Sequence, residues 1–345
     1  MKQYFAQRPM SWYYSQFPTT TNFLASGALM TGEASPGYLP YPKVARLMRR
    51  SLPDPKILVV GRNPLERSWS SYRYNYVSPT IEEMKKGRVQ NIQKHQREDY
   101  YKKFLFTFEE LIRAELAQLK ACLDPRHGFG ANATRDLWGD KIWVKAEVEN
   151  RLAGDRPLID LDEVCYGGKV NTTVLRPQWS QLQMDQPNKV MLEKNIHLKQ
   201  SLLGRSLYTF PLEWWYVVYE QEDIRFICTE ELSDLSGDPL NEVAMDFLGL
   251  PFFNFSSAIA EGAYNVGAHR GYDKATSWTE VDGENKNGKE SDVTASTDNN
   301  RAGNSTIVTD GSEIPLSNEL LQELKEFLQP INERLFHLVG KRCDW

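Results

Sequence analysis

Long apolar runs are missing from this 345-residue chain. No window of roughly 18 consecutive apolar residues occurs, which excludes a transmembrane helix within it. The stretch from Met1 to Tyr14 has no apolar signal core, so the chain as written is expected to have no standard entry into the secretory pathway. Basic charge is not in excess: 41 Lys and Arg stand against 46 Asp and Glu, giving a net charge of −5 and a pI near 5.7. That balance argues against a nucleic-acid binder. Cysteine is sparse, with four residues, no C-x-x-C pair and therefore no zinc-ligand spacing. His95, His127, His197, His269 and His337 are scattered, and no metal is implied. A G-x-S-x-G nucleophile elbow is absent. So is the Gly-Lys-Ser/Thr loop that a P-loop kinase requires.

What remains is ordinary globular composition, 41% hydrophobic and 25% charged. The length suits one large domain or two small ones, with a core that needs no staples. Nine Trp, 16 Tyr and 15 Phe fill such a core, and a subset could line a sugar-binding cleft. Asn132, Asn171, Asn254 and Asn304 each open an Asn-x-Ser/Thr sequon. Cys122, Cys165, Cys228 and Cys343 allow two disulfides in any of three pairings.

Along the chain, residues 1–50 read as loops and short elements punctuated by proline. Residues 56–61 form a short apolar run of the buried parallel-strand type. A helix follows to about Tyr76, with Asn63 as N-cap and Pro64 as its first residue. Residues 81–121 carry a helical pattern whose stripe includes Phe108, Leu111, Ile112, Leu116 and Leu119. A further helix is expected from Leu202 to Tyr219, a second buried strand over 224–228, and a short helix over 241–248. Residues 279–312 are polar and Gly-rich, composition that reads as a disordered insertion. A helix from Pro315 to Val339 follows, broken or kinked at Pro330. Strands alternating with helices predict a single α/β domain spanning 1–345, with a central parallel sheet flanked by helices on both faces.

The segment richest in chemistry runs from Arg62 to Tyr72. A strand that ends on Arg62 and turns at once into a capped helix places that guanidinium at the carboxyl edge of the sheet, where open α/β folds bind ligands. Arginine's planar fork suits a phosphate. Ser70 lies two turns into the helix, and spacing puts Arg67, Ser70, Ser71 and Tyr74 on one face. An Arg and a Ser hydroxyl converging near a helix start can hold a dianion. The bland alternative is an ordinary βα unit with Arg62 salt-bridged and Ser70 packed. The Lys85–Lys103 segment collects basic residues but also holds Glu98 and Asp99, and reads as a solvated helix face.

These residues resemble a known family. The stretch from Ile57 through Arg62, Asn63, Pro64 and Ser70 to Tyr72 is similar to the 3′-phosphate-binding segment of the Golgi carbohydrate (glycosaminoglycan) sulfotransferases, which use 3′-phosphoadenosine 5′-phosphosulfate (PAPS). Further segments resemble the family in its order: Thr31 to Tyr38, Ser206 to Tyr208, Trp214 or Trp215, Ile224 to Cys228, Glu231 and Leu232, Phe247 to Pro251, Pro330 to Leu335, and Trp345. The resemblance implies a P-loop-NTPase-like sulfotransferase fold, PAPS as sulfuryl donor and a carbohydrate or polysaccharide acceptor. Arg62 and Ser70 would bind the 3′-phosphate, and the loop carrying His269, Arg270 and Gly271 would lie over the nucleotide. Ala34, where heparan-type members have Lys, leans toward a galactosaminoglycan-type or other polysaccharide acceptor. The resemblance also implies a Golgi-lumen, type II membrane protein when full length, with Cys122 and Cys165 the first choice for a disulfide.

One family feature is not found: the Gly-rich loop with its Lys, between a first strand and a helix, that cradles the 5′-phosphosulfate and stabilises charge on the leaving phosphate. Lys2 to Phe5 and Trp12-Tyr13 resemble the flank of the family's general-base motif, in a register that puts the base Glu at or before Met1. The expectation is an N-terminally truncated sulfotransferase whose catalytic Lys and Glu lie upstream. The alternative is a non-catalytic homologue that keeps a nucleotide or glycan site.

Overall fold

The computed structural model describes residues 10–52, 54–77, 106–123, 158–166, 198, 201–260, 308–309 and 312–345. Expectations for 81–105, for most of 123–195 and for nearly all of the 279–312 insertion lie outside these residues. Short helices α1 (Met10–Tyr14) and α2 (Thr20–Ala25) open the described chain, followed by α3 (Pro42–Ser51), strand β1 (Ile57–Gly61) and α4 (Pro64–Tyr72). Then come α5 (Phe108–Cys122), α6 (Thr209–Val218), β2 (Ile224–Cys228), α7 (Asp238–Glu242) and α8 (Phe255–Ala260). A two-residue hairpin, β3 (Val308–Thr309) with β4 (Ser312–Glu313), precedes the long helix α9 (Asn318–Val339).

Among the described residues the architecture is mixed helical around a small parallel sheet, compatible with an α/β sulfotransferase fold. β1 and β2 pair in parallel with Ile57 opposite Ile224 and Gly61 opposite Cys228. One face of this sheet is buried. Val59, Ile224, Phe226 and Cys228 join Ala45, Leu212, Trp215, Tyr219, Leu335 and Phe336 in one core cluster. The other face is covered over β2, where Ile227 is buried, but Leu58 and Val60 of β1 are 43% and 48% exposed. A parallel sheet ordinarily buries both faces, so β1 stands as an open margin.

A second cluster joins Leu65, Trp69 and Tyr72 of α4 to Leu111, Ile112, Leu116 and Leu119 of α5 and to Leu320, Leu324 and Leu328 of α9. Helix α9 thus serves both clusters, with Pro330 at the changeover. Of the break or kink expected there, the break does not occur: the helix runs from Asn318 to Val339 with Pro330 inside it. Apolar anchors on either side of the proline outweigh the lost backbone bond, and the Thr209 hydroxyl donates to the Ile331 carbonyl at 2.7 Å beside it.

The helix expected over 202–219 is divided. Residues 204–206 form a tight 3₁₀ turn, and α6 begins at Thr209. The division falls at Leu207, whose φ −85° and ψ 69° lie outside the helical region. Glu115, buried on α5, anchors the start of the turn: its Oε2 accepts from the N–H groups of Leu202 (2.9 Å) and Leu203 (3.0 Å), and its Oε1 from Gly204 N–H (2.8 Å) and the Tyr166 hydroxyl (2.6 Å). These three amides, at the start of the segment, have no ladder partner of their own. Gly204 is required there, because a Cβ would lie 2.2 Å from the Tyr166 hydroxyl oxygen. The region expected to be helical over 241–248 likewise resolves into α7 and a wider turn over Val243–Phe247.

Two disulfides close the clusters. Cys122–Cys165, the first choice for a luminal chain because the two flank a variable stretch, lies in the α5 cluster, and Cys228–Cys343 lies in the sheet cluster. Their sequence separations are 43 and 115 residues. In the chain-entropy account they restrict the unfolded chain by about 4 and about 5 kcal/mol. Paired Ser substitution of Cys228 and Cys343 is therefore expected to lower stability more than the same change at Cys122 and Cys165, read from denaturant midpoints. Glu115→Gln points an amide donor at a ring of donors, and should cost about 3 kcal/mol or more in the same measurement.

Candidate functional site

The site is built where β1 gives way to α4. β1 can end against β2 only because residue 61 is glycine: a Cβ there would come 2.1 Å from the Phe226 ring. Both backbone groups at the strand exit are fixed. The Gly61 carbonyl accepts from the Thr229 hydroxyl at 2.7 Å, and the Arg62 N–H donates to the Tyr208 hydroxyl at 3.2 Å. Asn63 then caps α4, its Oδ1 accepting from Leu65 N–H at 2.9 Å and Glu66 N–H at 3.5 Å. Pro64 takes the first helical position, as read from the sequence.

Arg62 is half-buried, and its Nε lies 3.2 Å from Glu66 Oε2. This is a single-point pair between partly exposed groups, weak by itself. No partner of the terminal guanidinium nitrogens is found among the described residues. Ser70 stands one turn beyond Glu66 on the same face of α4, half-buried, its hydroxyl bonded to nothing among the described residues. The sequence-predicted pair is therefore aligned through Glu66: Arg62 is drawn along the helix face on which Ser70 sits.

The face expected to join Arg67, Ser70, Ser71 and Tyr74 is not assembled as one site. Arg67 turns inward, its Nη1 donating to the carbonyls of Ser201 (3.3 Å) and Leu202 (2.9 Å). Burial, with the nearby Arg205 charge adding to it, pulls its pKa down to about 10, so it remains protonated at neutral pH. Ser68, fully buried, has its hydroxyl oxygen 2.6 Å from the Pro64 carbonyl and 2.8 Å from the Leu202 carbonyl. The docking of α4 on the 201–206 turn thus uses Arg67 for structure. Ser71 is tied to Asn75, whose Nδ2 donates to its hydroxyl at 2.9 Å, and Tyr74 points to solvent.

Positive charge nevertheless gathers here. The buried Tyr208 hydroxyl has its pKa raised by burial, opposed by the Arg62 N–H and by the charges of Arg67, Arg62 and Arg205. Three guanidinium groups therefore act on one point at the carboxyl end of β1, an arrangement that favours an anion. Arg205 also donates to the Pro36 carbonyl at 2.7 Å, and the Trp215 indole N–H donates to the Leu39 carbonyl at 3.0 Å. These bonds bring the Thr31–Tyr38 segment to the same neighbourhood. Burial, and then hydrogen bonding to Glu33, push the Tyr13 hydroxyl pKa upward.

His269, Arg270 and Gly271 lie outside the described residues. Sequence reasoning missed Glu66, Arg205 and Glu115. Glu66 at four residues from Arg62 was a readable signal, while Glu115 sits in an ordinary amphipathic pattern and Arg205 in an expected helix. Tyr208→Phe would leave the Arg62 N–H without its acceptor. It should cost about 1–3 kcal/mol in a denaturant titration.

No family model matches the chain, and no solved structure does. The chain is 22% identical over 249 residues to the "Membrane-associated sulfotransferase kil1" of Dictyostelium discoideum, a match that covers 71% of this chain and 48% of that protein. The chain thus spans about half the length of the curated relative it matches. Among the described residues no helix is long and apolar enough to cross a membrane. The arginine-rich strand exit, with its capped helix, belongs to a chain distantly similar to a sulfotransferase.

Proposed function

We propose that this chain belongs to a sulfotransferase that moves a sulfuryl group from PAPS to a carbohydrate hydroxyl, with Arg62 and Ser70 holding the 3′-phosphate of the nucleotide. The observation that carries this reading is that, among the described residues, the Arg62 fork is committed only through Nε and the Ser70 hydroxyl has no partner, with both at one end of a capped helix. That donor set fits a phosphate: two terminal guanidinium nitrogens, one hydroxyl and the field of three arginines. PAPS, when bound, supplies the sulfuryl group on a phosphosulfate anhydride. This chain's part is to grip and orient the nucleotide. Arg62 and Ser70 supply the fixed donors, and the loop of His269, Arg270 and Gly271 is assigned to close over the base or phosphates.

The two disulfides fit the oxidising Golgi lumen. The acceptor is proposed to be a galactosaminoglycan-type or other polysaccharide.

Calorimetric titration with 3′-phosphoadenosine 5′-phosphate tests the nucleotide site. The chain should bind, and Arg62→Ala should weaken binding on the order of 10- to 100-fold, the size of a charge-assisted hydrogen bond of about 1.5–3 kcal/mol. Ser70→Ala should weaken it less. A cooperatively unfolding, disulfide-bonded chain that does not bind, or an Arg62→Ala form that binds as well as the parent, overturns the assignment.

A further inference from the structure

We propose that Asn254 carries an N-linked glycan whose first sugar ring packs on Phe252. Asn254 opens the sequon Asn254-Phe255-Ser256 in the segment between the turn at 243–247 and α8. Its side chain is exposed, and its carboxamide has no hydrogen-bond partner among the described residues. The backbone bends sharply there: Phe255 N–H donates to the Phe253 carbonyl at 2.9 Å, a three-residue turn centred on Asn254. Asn254 is not among the residues with positive φ, so the turn is of the unstrained inverse γ kind. A carboxamide at the tip of such a turn faces solvent rather than capping the helix that follows.

The neighbourhood has an apolar surface that needs a cover. Phe252 is 68% exposed, Phe253 56% and Leu235 70%. The Ser256 hydroxyl donates to the Ser236 carbonyl at 2.9 Å, which holds the 252–256 segment beside residues 235 and 236. Phe253 is engaged edge-on by Phe255, ring centroids 4.9 Å apart. Among the described residues Phe252 has no such partner, and it offers an aromatic face two residues before Asn254. The C–H face of a sugar ring stacks on an aromatic face, so a glycan here would gain a packing surface and hide the patch.

The compartment agrees independently. All four cysteines are joined in disulfides, which persist where the environment is oxidising, as in the endoplasmic reticulum lumen. The co-reactant is an oligosaccharide carried on a polyprenyl diphosphate. The Asn254 Nδ2 forms a bond to the sugar's anomeric carbon as the bond from that carbon to the diphosphate oxygen breaks. The polyprenyl diphosphate leaves with the electron pair, and one amide proton passes to a base of the transferring enzyme. In the folded chain the Ser256 hydroxyl is already held by Ser236, so transfer belongs to the nascent chain.

The test is to lead the full chain into the secretory pathway of a eukaryotic cell with a cleavable signal and map its glycopeptides after glycosidase release in heavy-oxygen water. Asn254 should be recovered as labelled Asp in most molecules, and Ser256→Ala should abolish the label at that position alone. Glycan removal should lower the melting temperature of the parent but not of Phe252→Ala. Recovery of Asn254 as unmodified Asn from secreted, disulfide-bonded chain overturns the site. An equal loss of melting temperature in the parent and in Phe252→Ala overturns the packing on Phe252. Neither outcome depends on nucleotide binding, so this inference and the proposed function stand or fall separately.

Discussion

The arrangement depends first on one buried carboxylate. Glu115 leaves water, and four donors from two separate segments replace its hydration. That ring of donors shapes the 201–206 turn. The turn, so shaped, directs the Ser201 and Leu202 carbonyls outward, where Arg67 and Ser68 of α4 receive them. The orientation of α4, and hence the line from Arg62 to Ser70, is inherited from a side chain on a different helix. A charged residue in a core is seldom the stable choice over a well-packed apolar one. Here its use is geometric, since it fixes a backbone shape that no apolar side chain could specify.

The second constraint is the sheet. β1 and β2 are short, and their pairing is made close by Gly61, over which the Phe226 ring lies. Phe226 in turn touches Tyr208 and Trp345 edge-on or tilted, and Trp345 reaches Phe336 of α9. Beside this aromatic group, Glu231 accepts from Cys228 N–H at 2.8 Å and pairs with Lys341. The strand exit is therefore buttressed from the C-terminal segment as well as from α5. The two clusters meet along the 201–208 segment and along α9, the elements that contribute side chains to both.

Much of the local structure around Arg62 was legible because its determinants are contiguous. The apolar run 57–61, the Asn63 cap and Pro64 each act within a few residues, and all three work as their types predict. The parts that were not legible are set by distant residues. Nothing near Leu202 announces that Glu115 will claim its amide and those of Leu203 and Gly204, so a continuous helix was the natural expectation. Pro330 read as a break because its local effect is known, while the anchors Leu328 and Leu335 that hold the helix through it act only in the packed state. Arg67 read as a neighbour of Ser70 for the same reason: spacing describes a helix face but not which face meets the rest of the protein. The pairing of Cys228 with Cys343 closes a contact between chain positions that no local pattern links.

The aromatic buttress has a consequence for biosynthesis. Arg62 is held by Tyr208, Tyr208 packs on Trp345, and Cys343 is joined to the strand that lies against β1. A ribosome that has released only the first two-thirds of these residues has delivered Arg62, Ser70 and Tyr208 but not Trp345 and Cys343, which back them. Nascent intermediates would thus expose Phe226 until Trp345 emerges to cover it. The packing behind Arg62 is therefore completed only in the last stage of synthesis.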